Sequence, residues 1–125
     1  MSEKIILSII ESPTHPRLSA LFRDLGFREI QVTSMRKAMS VLKKQPPEFI
    51  VAEFFYGYGN NYAGVNVSNL DVLLSSLPKY SPDTRTIVFV QKEEQQYVEK
   101  LHQLYPLHAA FLHNTPEHAI EEALK

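Results

Sequence analysis

Five short apolar runs alternate with segments whose apolar residues recur at helical spacing, and that alternation limits the chain to very few folds. The runs are Lys4 to Ile10, Arg28 to Val32, Phe49 to Phe54, Thr86 to Val90 and Ala109 to Leu112. Several are almost continuously apolar, as strands covered on both faces are. Between them Leu18, Leu21, Phe22 and Leu25 mark one helix, and Met35, Ala38, Met39, Val41 and Leu42 a second. Leu70, Val72, Leu73, Leu74 and Leu77 mark a third. Glu93 to Leu104 carries Tyr97, Val98, Leu101 and Leu104 on one face, and Ala119, Ile120, Ala123 and Leu124 mark the last helix. Strand then helix, five times over, predicts a mainly parallel sheet with helices on both faces. In one domain spanning 1–125 this is an α/β, flavodoxin-like doubly wound sheet of order 2-1-3-4-5, because a closed barrel needs eight units.

Punctuation between the runs sets the expected ends. Pro16 is placed to open the first helix and Gly26 to stop it. Thr33 or Ser34 caps the second helix, Ser68 or Asn69 stands near the cap of the third, and Pro78 to Asp83 forms a connector. Thr115 is expected as N-cap of the last helix, with Pro116 at its first position.

Composition removes several function classes. The net charge is −1, which offers nothing to nucleic acid or to an anionic membrane. No cysteine is present, so disulfides, thiolate metal sites and cysteine nucleophiles are excluded, and a reducing, cytoplasmic setting fits. The longest apolar stretches are strand-sized, short of a membrane span, and residues 1–10 read as a first strand rather than as a signal peptide.

In such a sheet, sites lie at the carboxyl ends of the strands, where the order reverses between strands one and three. Glu11 follows strand one and Glu53 ends strand three, so both carboxylates are expected at one crevice. Glu53 interrupts the run "EFIVAEFFYGYG" and is open to two accounts: a carboxylate solvated at the crevice rim, or a functional charge. It is expected to reach water or a polar partner, since an unpaired charge deeper in the core costs several kcal/mol.

Over nearly its whole length the chain resembles a response-regulator receiver (CheY-like) domain. The segments that carry the resemblance are "RLSALFRDLGF", "PPEFIVAEFF" and "LHAAFLHNTPEHAIEEAL". Receivers place an acidic pair after strand one to hold magnesium, a phosphoacceptor aspartate at the end of strand three, a hydroxyl residue after strand four and a lysine after strand five. Carried over, Ile10-Glu11 leaves one carboxylate of the acidic pair, and Glu53 takes the phosphoacceptor position. Val90 or Gln91 takes the hydroxyl position, and His113 or Asn114 the lysine position. The connection from Glu53 to Leu70 is also longer than expected. The resemblance therefore implies a pseudo-receiver in two-component signalling or phosphorelay: no enzyme, no cofactor, no bound metal. It implies a protein partner on the face of helix four, strand five and helix five, where Tyr105, His108 and Phe111 stand. A homodimer is allowed; nucleic acid and membrane are not expected.

Two other readings stay open: an atypical receiver phosphorylated or magnesium-bound through Glu11 and Glu53, and a flavodoxin-like small-ligand binder using the loop 56–64. That loop carries Tyr56, Gly57, Tyr58, Asn60 and Tyr62, a mixture of rigid contact area and adaptable hydrogen bonding. The loop also reads, and more simply, as a lid packed over the crevice. Gly57 and Gly59 follow the wrong strand for a phosphate cradle and are read as turn residues. The five histidines lack metal-ligand spacing, and no serine has a nucleophile motif.

Overall fold

Parallel pairing of five strands builds the molecule's centre. The computed structural model describes residues 4–56 and 68–125. The elements run β1 (Ile5–Ile9), α1 (Ser19–Asp24), β2 (Arg28–Val32), α2 (Met35–Lys44), β3 (Phe49–Glu53), α3 (Asp71–Tyr80), β4 (Arg85–Val90), α4 (Gln95–Leu104), β5 (Ala109–Leu112) and α5 (Glu117–Ala123), with a 3₁₀ turn at Lys92–Glu94 leading into α4. The sheet order is β2-β1-β3-β4-β5, as the alternation predicts, and every pairing is parallel.

Period-two alternation divides the strands between two cores. Leu7, Ile50, Ala52 and Val88 pack under α2, α3 and α4 through Ala38, Leu42, Leu73, Leu74, Val98 and Leu101. Their neighbours Ile6, Phe49, Val51 and Ile87 point to the other side, against Leu21 and Phe22 of α1 and Ile120 of α5. Each fully buried side chain of this size contributes about 1.5–3 kcal/mol of transfer free energy. The same alternation puts Ser8 and Glu53 on the α1/α5 side. Ser8 meets its need for a partner by donating to Glu29 Oε2 at 2.6 Å.

The local signals hold in part. Gly26 ends α1 at φ 87°, a left-handed conformation that favours glycine. Ser34 caps α2 by accepting the Lys37 N–H at 3.2 Å. Other boundaries move. Pro16 does not open α1, which starts at Ser19: the first helical bond runs from Phe22 N–H to Leu18 O at 3.0 Å, and the Pro16 carbonyl accepts from His15 Nδ1 at 2.9 Å. Pro78 lies inside α3 rather than in a connector. Its ring nitrogen forfeits only the bond to Leu74, while Ser81 N still reaches Leu77 O at 2.7 Å. The N-cap of α5 is Pro116, not Thr115, whose N–H closes the turn onto Leu112 O at 3.1 Å. Leu70 is the N-cap residue of α3, and it is supported from Ser68, whose hydroxyl accepts its N–H at 3.0 Å.

Candidate functional site

The carboxyl ends of β1, β3 and β5 meet at one crevice, and Glu53 lies at its centre. Glu53 is 1% exposed, so the solvated-rim account does not describe it. Its burial needs compensation, because desolvating a carboxylate costs several kcal/mol. Two side chains supply it, both on Oε2. Thr14, from the loop after β1, donates its hydroxyl. His113, the residue after β5, brings Nε2 to 2.8 Å. Oε1 of Glu53 and Nδ1 of His113 are buried and have no hydrogen-bond partner among the described residues.

Thr14 is held by its own turn. Its N–H donates to Ser12 Oγ at 3.0 Å, and the two hydroxyls are 2.6 Å apart. The single Thr14 hydroxyl proton goes to Glu53, so Ser12 donates to Thr14 Oγ1 and the three groups form a relay. Ser12 is a short polar residue in an Asx/ST-type turn position, the kind that bonds the backbone two residues on.

Glu11 faces a different partner. Asn69, 9% exposed, donates from Nδ2 to Glu11 Oε1 at 2.8 Å and to the Glu53 carbonyl at 3.0 Å. Its Oδ1 accepts the Phe55 N–H at 2.8 Å, and its own N–H reaches Phe55 O at 3.2 Å. One amide thus ties the end of β1, the end of β3 and the start of α3. Magnesium does not fit this arrangement. It demands several hard oxygen ligands in octahedral array, whereas an N–H donor stands between Glu11 and the β3 carbonyl. Among the described residues no group of three or more His, Cys, Asp or Glu is placed to hold a metal ion.

The remaining positions divide. Gln91, after β4, is half-buried and begins the 3₁₀ turn, its carbonyl accepting Glu94 N–H at 2.9 Å. Gln91, His113 and Asn114 line one open cleft of about 270 Å³ with Val90 and Leu112, and Asn114 is exposed there while His113 turns inward. Of the two residues at the lysine position, it is therefore His113 that meets Glu53. Tyr56 is 43% exposed and stacks on Tyr97 of α4 with ring centroids 3.7 Å apart. Its N–H donates to Glu94 Oε1 at 3.1 Å. Gly57, Tyr58, Asn60 and Tyr62 lie outside the described residues. His108 donates from Nε2 to Ala123 O at 2.7 Å, and His102 Nδ1 accepts Leu107 N–H at 2.9 Å.

Sequence reasoning missed Thr14 as a partner of Glu53, and it read Asn69 only as a helix cap. The one available signal was position: both stand in loops at the carboxyl edge of the sheet, where sites of this fold lie.

No protein-family model matches the chain, and no curated protein sequence matches it. Solved structures do match in fold. A response regulator from Thermotoga maritima superposes with a TM-score of 0.72 at 15% identity, over 98% of this chain and 95% of that one. A CheY-like response regulator receiver domain protein from Methanospirillum hungatei gives 0.71 at 9% identity, over 98% and 91%. A response regulator from Burkholderia pseudomallei, solved with a phosphorylated aspartic acid, calcium ion and citrate, gives 0.64 at 19% identity, over 98% and 67%.

Proposed function

We propose that this receiver-fold chain is a single, non-enzymatic signalling domain that acts through a protein partner without being phosphorylated. It has the fold of receiver domains, and identities of 9–19% carry the likeness no further than fold. The observation that carries the reading is the state of Glu53. At the strand end where receivers present a phosphoacceptor, this carboxylate is 1% exposed and its Oε2 is engaged by Thr14 and His113. A phosphodonor needs an accessible oxygen in line with its leaving group, and misplacement by about 1 Å can cost roughly a hundredfold in rate. The chain also lacks a hydroxyl at Gln91 and a lysine at His113 or Asn114 to neutralise a transferred phosphoryl group. His113 supplies a fixed partner to Glu53 instead, so the crevice holds one state permanently. The partner surface is the face of α4, β5 and α5, with Tyr105, His108 and Phe111, and the setting is the cytoplasm.

Incubation with acetyl phosphate and magnesium, followed by intact mass measurement, tests this. The expected spectrum is unchanged. A stoichiometric gain of one phosphoryl group would replace the reading with that of an atypical phosphorylatable receiver.

A further inference from the structure

We infer that Asn69 is the built-in counter-group of the crevice: its amide takes the position between Glu11 and the end of β3 that a divalent cation would otherwise take. The inference deepens the proposed function and rests on it, because it supplies the physical means by which the crevice keeps one state without a ligand. Both Nδ2 protons are committed, one to Glu11 Oε1 at 2.8 Å and one to the Glu53 carbonyl at 3.0 Å. The two acceptors are hard oxygens, one anionic and one a backbone dipole, and they converge on a single point. Two oxygens so arranged are a part of the larger oxygen set that Mg²⁺ or Ca²⁺ takes. Here a neutral NH₂ group fills that point and satisfies both.

Its other end is equally committed. Oδ1 accepts Phe55 N–H at 2.8 Å, which sets the amide orientation: exchanging O and N would put N–H against N–H there and oxygen against oxygen at Glu11. Both polar atoms of the side chain are therefore bonded, and it is 9% exposed and held from both sides. The backbone adds a bond between the same two residues, from Asn69 N–H to Phe55 O at 3.2 Å, so the end of β3 and the start of α3 are joined by main chain and side chain together.

The substitution Asn69→Asp tests this by changing essentially one group, NH₂ to O, while leaving the oxygen that Phe55 needs. Three oxygens with two negative charges then converge where a donor stood. The variant should melt below the wild type in buffer with chelator. Millimolar MgCl₂ or CaCl₂ should raise its melting temperature by at least about 3 °C over a KCl control of equal ionic strength, by preferential binding to the folded form. The wild type should show no such divalent response. The pair Glu11→Gln with Asn69→Asp returns a donor amide from the opposite side and leaves the Glu53 carbonyl without one, so it should regain part of the lost stability and lose the cation response.

A wild-type melting temperature in Asn69→Asp with no divalent response would overturn the inference. So would a wild type that gains as much from magnesium as the variant. Should Asn69→Asp not fold, folding of the double variant supports the inference, and an unfolded double variant overturns it. Phosphorylation of the wild type by acetyl phosphate would remove the functional reading while leaving the melting comparison intact, so the two failures are told apart.

Discussion

His113 Nε2 stands 2.8 Å from Glu53 Oε2 although 60 residues separate them and β4 lies between their strands. The contact passes over the end of β4, from the turn after β5 back to the last residue of β3. Removing one partner of a buried hydrogen bond leaves the other unsatisfied, and that penalty exceeds what the bond itself contributes. His113→Ala should destabilise the fold by about 1–3 kcal/mol, tempered by the 20% exposure of the imidazole. Glu53→Gln keeps the shape and one acceptor. A double-mutant cycle in urea should give a coupling of at least about 0.5 kcal/mol. A coupling of zero would mean that Glu53 and His113 are only neighbours.

Thr14 is the second donor to Glu53, and a change of one group isolates its hydroxyl. Thr14→Val preserves volume but removes the donor, and a hydrogen bond to a carboxylate is worth about 1.5–3 kcal/mol. Thr14→Ser should stay within about 0.5 kcal/mol of the wild type. Equal midpoints for Val and Ser would show that packing, not the hydroxyl, fills this position.

Tyr56 and Tyr97 form the link between the end of β3 and α4. Their rings stack at 3.7 Å with 12° between planes, and Lys100 Nζ lies 5.7 Å from the Tyr97 centroid. Replacing each tyrosine by leucine, singly and together, should return a coupling of about 0.5–1.5 kcal/mol. An additive pair would show that the stack does not hold these elements together.

Two local signals can be checked without touching the crevice. Gly26→Ala should cost about 1–2 kcal/mol, and the cost is purely conformational, because an added Cβ meets no atom within 4 Å. Gly26→Asn should cost less, since asparagine tolerates the left-handed region. Ser34→Ala, which removes the acceptor for Lys37 N–H, should cost about 1 kcal/mol. Chemical denaturation reads all three, and a neutral Gly26→Ala would contradict the φ of 87°.

What the sequence by itself determined is what depends on neighbours along the chain. Apolar runs of strand length, broken by helical spacing, specify five strands and their parallel order, because each helix must cross over to return the chain in the same direction. Phe49 to Ala52 had to be interior, Gly26 had to end a helix and Ser34 could cap one, since each follows from side-chain size or backbone freedom. Even the meeting of strand ends one, three and five follows from topology, and with it the placing of Glu11, Glu53 and His113 at one edge. Only the tertiary structure decided who pairs with whom there. Hydrogen bonding depends on ångström-scale direction, and spacing in sequence does not encode it. Thus Glu53 is buried against Thr14 and His113 rather than solvated, Glu11 is bound by Asn69, and Asn114 turns to solvent. The same is true of the boundaries that moved. Pro78 stays within α3 because one lost bond in a last turn is cheap beside the packing of Leu73 and Leu74, and that balance is set by the core rather than by the residue.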